Sequence, residues 1–156
     1  MLQGKTLPVA AVREADRRCI EDLGIPSAVL METAGRAVFG QVREGPVGVV
    51  CGKGNNGGDG FVVARTALAA GMETHVWLTA EPGKLTGDAA CYAGVYRRIG
   101  GEITPLTREA DVPKALQQMS QCKTLVDALL GTGITGMVRG IYRPIIEDWP
   151  EDPRTI

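Results

Sequence analysis

Two short segments of this chain hold the residue types and spacings that could do chemistry. The first is Gly52-Lys53-Gly54-Asn55-Asn56-Gly57-Gly58-Asp59-Gly60, which sets two amides and a carboxylate among five glycines. Glycine permits positive φ and lets a ligand approach the backbone closely; no packing role is expected of these five. A helix following the segment would turn its unpaired N–H groups and the positive end of its dipole toward a phosphate. The second segment is Asp127-Ala128-Leu129-Leu130-Gly131-Thr132-Gly133-Ile134-Thr135-Gly136-Met137. Asp127 interrupts an apolar run, and a carboxylate buried in a parallel strand is costly unless it is paired or metal-bound. If the two segments lie side by side, amide and carboxylate oxygens would converge into a site for a hard cation. The GTGITG turn repeats the glycine logic with two hydroxyls at hand.

Simpler readings compete. Asn55 and Asn56 could be turn formers, Asp59 an N-cap, and Asp127 an acceptor of backbone N–H bonds from the neighbouring loop. Residues 52–57 also match GxGxxG, the dinucleotide fingerprint. Against that, Asp59 would repel a pyrophosphate, phosphate needs no paired asparagines, and only Glu81 could serve as the acidic residue after the second strand. No GK[ST] follows, which excludes a P-loop. Lys53 and Arg139 flank the two segments, as phosphate partners or as solvated surface charges.

Composition narrows the chemistry. The chain has 156 residues, enough for one domain over 1–156. Net charge is −1, so no whole-chain field recruits nucleic acid or an acidic membrane. His75 is the single histidine, which rules out multi-histidine metal sites, and its place in a strand suggests a structural role. Cys19, Cys51, Cys91 and Cys122 form no CxxC pair and read as reduced, mostly buried thiols of a cytoplasmic protein. Neither a signal peptide nor a run of ~20 apolar residues is visible.

These side chains need a scaffold, and the chain alternates accordingly. Apolar periodicity predicts helices over 7–23 and 28–43, with Gly24-Ile25-Pro26 between them and Ser27 as a cap. Strands are expected at 46–52, 72–79, 102–106 and 122–131, and helices at 61–71, 86–99, 111–119 and 138–148. This α/β alternation implies a Rossmann-like three-layer α/β/α fold with a mostly parallel sheet, preceded by two N-terminal helices. Ligands of such sheets bind beyond the carboxyl ends of the strands, where both glycine segments lie.

The run VVCGKGNNGGDGFVVAR resembles the signature of the NAD(P)HX epimerase family, the YjeF N-terminal domain family. LGIPSAVLMETAGRAV is similar to its second-helix motif, and LVDALLGTGITGMVRG to its VDAxxGTG motif. All three stand in family order across most of 10–147. The resemblance implies an enzyme that interconverts the R and S forms of hydrated NADH and NADPH (NADHX and NADPHX), so that a dehydratase domain or partner acting on one epimer can repair the whole pool. It also implies a potassium ion. Carried over by position, Asn55, Asn56, Gly57, Gly58 and Asp59 would contact substrate. Gly131, Thr132, Gly133, Ile134, Thr135, Gly136 and Met137 would wrap its phosphate-bearing part. Asn56 and Asp127 would ligate potassium. Independently of the resemblance, the Met31-Glu32 pair could position the first segment.

The substrate implied is a hemiaminal, and inverting its carbon requires moving a proton at the ring hydroxyl, a task expected of a buried Asp127. One departure stands out: family members continue into a strand ending in Asp-x-Pro-Ser-Gly, and no DxPSG occurs here. The expectation is therefore a domain without the family's C-terminal strands, with an open sheet edge that favours a homodimer. Two alternatives accompany it: an inactive nucleotide-binding or protein-interaction module of the same fold, or a fragment of a bifunctional epimerase/dehydratase.

Overall fold

The computed structural model describes residues 7–134 and 136–156. Five parallel strands form one sheet: β1 (Val47–Cys51), β2 (Thr74–Leu78), β3 (Ile103–Pro105), β4 (Thr124–Ala128) and β5 (Arg154–Thr155), in the order β3-β2-β1-β4-β5. The helices are α1 (Val9–Arg17), α2 (Ser27–Phe39), α3 (Asn55–Ala69), α4 (Gly87–Arg98), α5 (Val112–Met119) and α6 (Tyr142–Glu147). Parallel strands need crossovers that lay helices on the sheet faces. That is why β1 is buried along its whole length.

Alternate residues of β1 enter two cores. Val47, Val49 and Cys51 join Val76, Leu78, Val126 and Ala128 against Phe61, Val63 and Ala67 of α3 and Ala89, Ala93 and Tyr96 of α4. Val50 joins Trp77 and Leu125 against Val112, Ala115 and Met119 of α5 and Ile145 of α6. The α/β/α layering expected from the alternation is present.

Local differences have local causes. The first predicted helix divides at Arg17, continuing over Arg18–Asp22 as one widened turn, and α1 buries no side chain. Pro26, not Ser27, occupies the cap of α2, and the Ser27 hydroxyl instead donates to Asp88 Oδ2 at 2.5 Å. α3 begins six residues earlier than expected, at Asn55, so most of the first glycine segment is helical. The fifth strand, too short to show a periodicity, is additional to the four expected. Its two residues pair with Thr124 and Leu125, and the Asp127 N–H donates to the Ile156 carbonyl at 2.9 Å.

Candidate functional site at the carboxyl ends of β1 and β4

Strand order reverses between β1 and β4, whose connections leave toward opposite edges of the sheet. This is the switch point at which open α/β sheets form a crevice. The two strands run in register from Val47 opposite Thr124 to Cys51 opposite Ala128, and one more bond, Gly52 N–H to the Ala128 carbonyl at 2.9 Å, carries the pairing past them. Both glycine segments therefore start from one point.

The glycines of the first segment work differently from expectation. None of Gly52, Gly54, Gly57, Gly58 or Gly60 has positive φ. Four of them are packing glycines. A Cβ on Gly52 would overlap the Leu129 carbonyl oxygen, and one on Gly57 the Gly52 carbonyl oxygen. A Cβ on Gly58 would come within 2.6 Å of Met31 Sδ, and one on Gly60 within 2.6 Å of the Ala128 Cβ. The close approach they permit is that of α3 to the ends of β1 and β4 and to α2. Glu32 reinforces the α2–α3 contact through Arg65 Nη2, at 2.6 and 2.7 Å. Met31 and Glu32 thus hold α3 as expected.

Gly54 caps α3 with extended backbone and no side-chain bond. The first helical bond is donated by the Gly58 N–H to the Gly54 carbonyl at 3.1 Å. The amides of Asn55, Asn56 and Gly57 are therefore the open donors of the first turn. Asn55 and Asn56 are helical residues, not turn formers, and Asp59 lies too far along α3 to cap it.

A hollow of about 550 Å³ opens here, lined by Gly54, Asn55, Asn56 and Asp59 on one side and Leu129 and Gly131–Ile134 on the other. Asn56 Nδ2 donates to the Leu130 carbonyl at 3.3 Å and binds the two segments together. The third wall comes from α1: Val12, Arg13 and Asp16. No sequence motif marks these three residues. Their signal was the i, i+1, i+4 spacing that groups them on one side of a helix, without anything to say which element that side would meet. Asp59 is partly buried, and burial, with the Asp16 carboxylate beside it, pushes its pKa up to about 6.

Asp127 departs from expectation. It is exposed, not buried, although the other residues of β4 are buried. It shares its side of β4 with Leu125 but lies beyond the cover of the second core, so the burial penalty never arises. Its Oδ1 accepts the Leu129 N–H at 3.1 Å, and it does not line the hollow. Asn56 and Asp127 thus grip the same 129–130 backbone through different groups. Thr135 lies outside the described residues. Gly136 has φ +89°, a true turn glycine, and Met137, 80% exposed, lines a separate, roomier hollow of about 940 Å³ with Arg139 and Arg143. Lys53 lines neither hollow. His75 is exposed at the far end of β2, 3.1 Å from Glu73.

The profile of the YjeF-related protein N-terminus matches residues 27–155. The chain belongs to this family. Among similar sequences, the bifunctional NAD(P)H-hydrate repair enzyme Nnr of Moorella thermoacetica is 38% identical over 145 residues, 88% of this chain and 27% of the relative. The NAD(P)H-hydrate epimerase of Pirellula staleyi is 40% identical over 139 residues, 86% of this chain and 61% of the relative. The chain therefore spans about a quarter of the bifunctional relative and three fifths of the epimerase. In fold, this YjeF-related domain is similar to the crystal structure of yeast YNL200c, with a TM-score of 0.77 at 23% identity over 92% of this chain and 64% of that one.

Proposed function

We propose that this chain epimerises the R and S forms of NADHX and NADPHX. The observation that carries the proposal is the joining of the NNGGD and GTG segments around one hollow at the switch point. The names of the epimerase and repair-enzyme relatives support it. The first-turn amides of α3 and the Gly131–Ile134 turn would receive the phosphate-bearing part.

Inversion proceeds by reversible loss of the ring hydroxyl to an iminium, or by ring opening, and both move a proton at that oxygen. We assign the proton to Asp59, which faces the hollow with a pKa near 6. Asp127, the residue expected from the sequence to move this proton, is exposed. Potassium would be held by Asn56 Oδ1 and the Asp127 carboxylate. Both groups offer oxygen, the donor type a hard cation takes, and Asn56 Nδ2, engaged with the Leu130 carbonyl, leaves its oxygen to ligate. When bound, potassium would supply a fixed positive charge beside the 129–131 backbone.

Chromatographic separation of R- and S-NADHX after mixing with the chain tests the proposal. Equilibration should exceed the spontaneous rate, and Asp59→Asn should lower kcat by about 100-fold or more. Asp127→Ala should keep most of kcat but lose potassium dependence. A rate equal to the spontaneous one sinks the proposal, and NADHX binding without turnover would mark a binding module.

The same reading includes a dehydratase as consumer of one epimer, a cytoplasmic location and a homodimer. No helix among the described residues is long and apolar enough to cross a membrane. Sedimentation velocity tests the dimer.

A further inference from the structure

We propose that Arg13 of α1 is the side chain that receives the phosphate groups of the nucleotide, an assignment that rests on the nucleotide reading above. Three charged residues line the hollow, Arg13, Asp16 and Asp59, and Arg13 is its only cation among the described residues. Phosphate entering beside two carboxylates needs an opposing charge. The cations flanking the glycine segments in sequence do not provide it: Lys53 lines no part of the hollow, and Arg139 lines another.

Arg13 is placed and unspent. Its Nη2 donates to the Thr132 carbonyl, and its Nε lies 3.5 Å from Thr132 Oγ1. Its neighbours Arg17 and Arg18 are taken up by Glu14, Glu21 and Asp22, whereas Arg13 has no carboxylate partner among the described residues. Guanidinium carries five donors in a planar fork, so one edge can hold Thr132 while the other meets phosphate oxygens.

The two signs of charge are also separated. Arg13 reaches the Gly131–Ile134 turn, while Asp16 and Asp59 continue into an adjoining hollow toward Ser27, Met31 and Asp88. A dinucleotide would thus be oriented with its phosphates at the glycine turn and its hydrated ring at Asp59. α1, which buries no side chain of its own, becomes a wall of the binding site.

Calorimetric titration of inorganic pyrophosphate and of the NADHX epimer mixture into the full chain tests the assignment. Arg13→Ala and Arg13→Gln should each weaken both ligands by about 10-fold or more, with Arg13→Lys intermediate. Lys53→Ala and Arg139→Ala should stay within about 2-fold. Melting curves should coincide with wild type, since Arg13 is exposed. If wild type binds NADHX and both Arg13 variants bind it equally well, the assignment fails and the nucleotide reading stands. If wild type binds neither ligand, both fail.

Discussion

Asp59 sits in the second turn of α3, where helix geometry turns it toward Asp16 of α1. Partial burial and the neighbouring carboxylate raise its pKa from 3.8 to about 6. A carboxyl group whose folded pKa exceeds its unfolded value binds its proton more tightly in the folded state. Stability therefore declines as pH rises from about 4 to about 6, and the loss persists above that. Asp59→Asn should raise stability at about pH 7.5 by on the order of 1 kcal/mol, allowing for solvent screening, and add nothing near pH 3.5. Thermal melts at the two pH values check this. The same variant should lose epimerisation, the trade expected where a site holds a destabilised charge. Asp16→Asn should lower the Asp59 pKa toward the ordinary carboxylate range, as followed by carbon NMR of the carboxyl signal. An unmoved titration would remove Asp16 from the account.

Among the elements, α3 matters most, because it is both the packing partner of β1 and the floor of the hollow. Its close seat depends on glycines that carry no Cβ. Gly57→Ala would drive a methyl into the Gly52 carbonyl, and the strain should cost about 3 kcal/mol, read from urea unfolding midpoints. Gly54 has nothing within 4 Å of the added atom, so Gly54→Ala should cost at most about 1 kcal/mol, through the poorer cap. Equal losses at both positions would contradict the packing role. Gly35 of α2 fits the same pattern, since a Cβ there would lie 2.5 Å from Val62 Cβ and 2.8 Å from the Asp59 carbonyl. The α2 motif thus sets how deeply Asp59 is held.

Across the whole molecule, protection should follow the sheet order. β1 is central, and its amides should exchange most slowly. Rungs between β4 and the two-residue β5 should open sooner, the Asp127 amide among them, as amide exchange would show. The thiols report the same layering. Cys51 is fully enclosed, and burial drives its pKa far up, while burial pushes Cys122 up to about 11. Cys91 is exposed and Cys19 partly so, which corrects the expectation of mostly buried thiols. Native alkylation with iodoacetamide should modify Cys91 first and spare Cys51 and Cys122 until the chain unfolds.

The strand–helix alternation, the parallel sheet and the two chemical segments were legible from periodicity and residue type, because a strand buried on both faces is largely apolar, as 47–51 and 125–126 are. The NNGGDG and GTG motifs likewise pointed to the two segments that line the hollow. What the chain did not disclose by itself was why the glycines are there. Positive φ and close packing demand the same residue, and only the position of the Gly52 and Leu129 carbonyls separates them. Nor could it reveal that Asp127 is exposed, which depends on where the covering helices stop, or that α1 folds back to bring Arg13 and Asp16 against segments remote in the chain. Local pattern determines which elements form and which face each buries. Which charges meet across the hollow is a matter of distances between elements remote in sequence, and those exist only once the chain has packed.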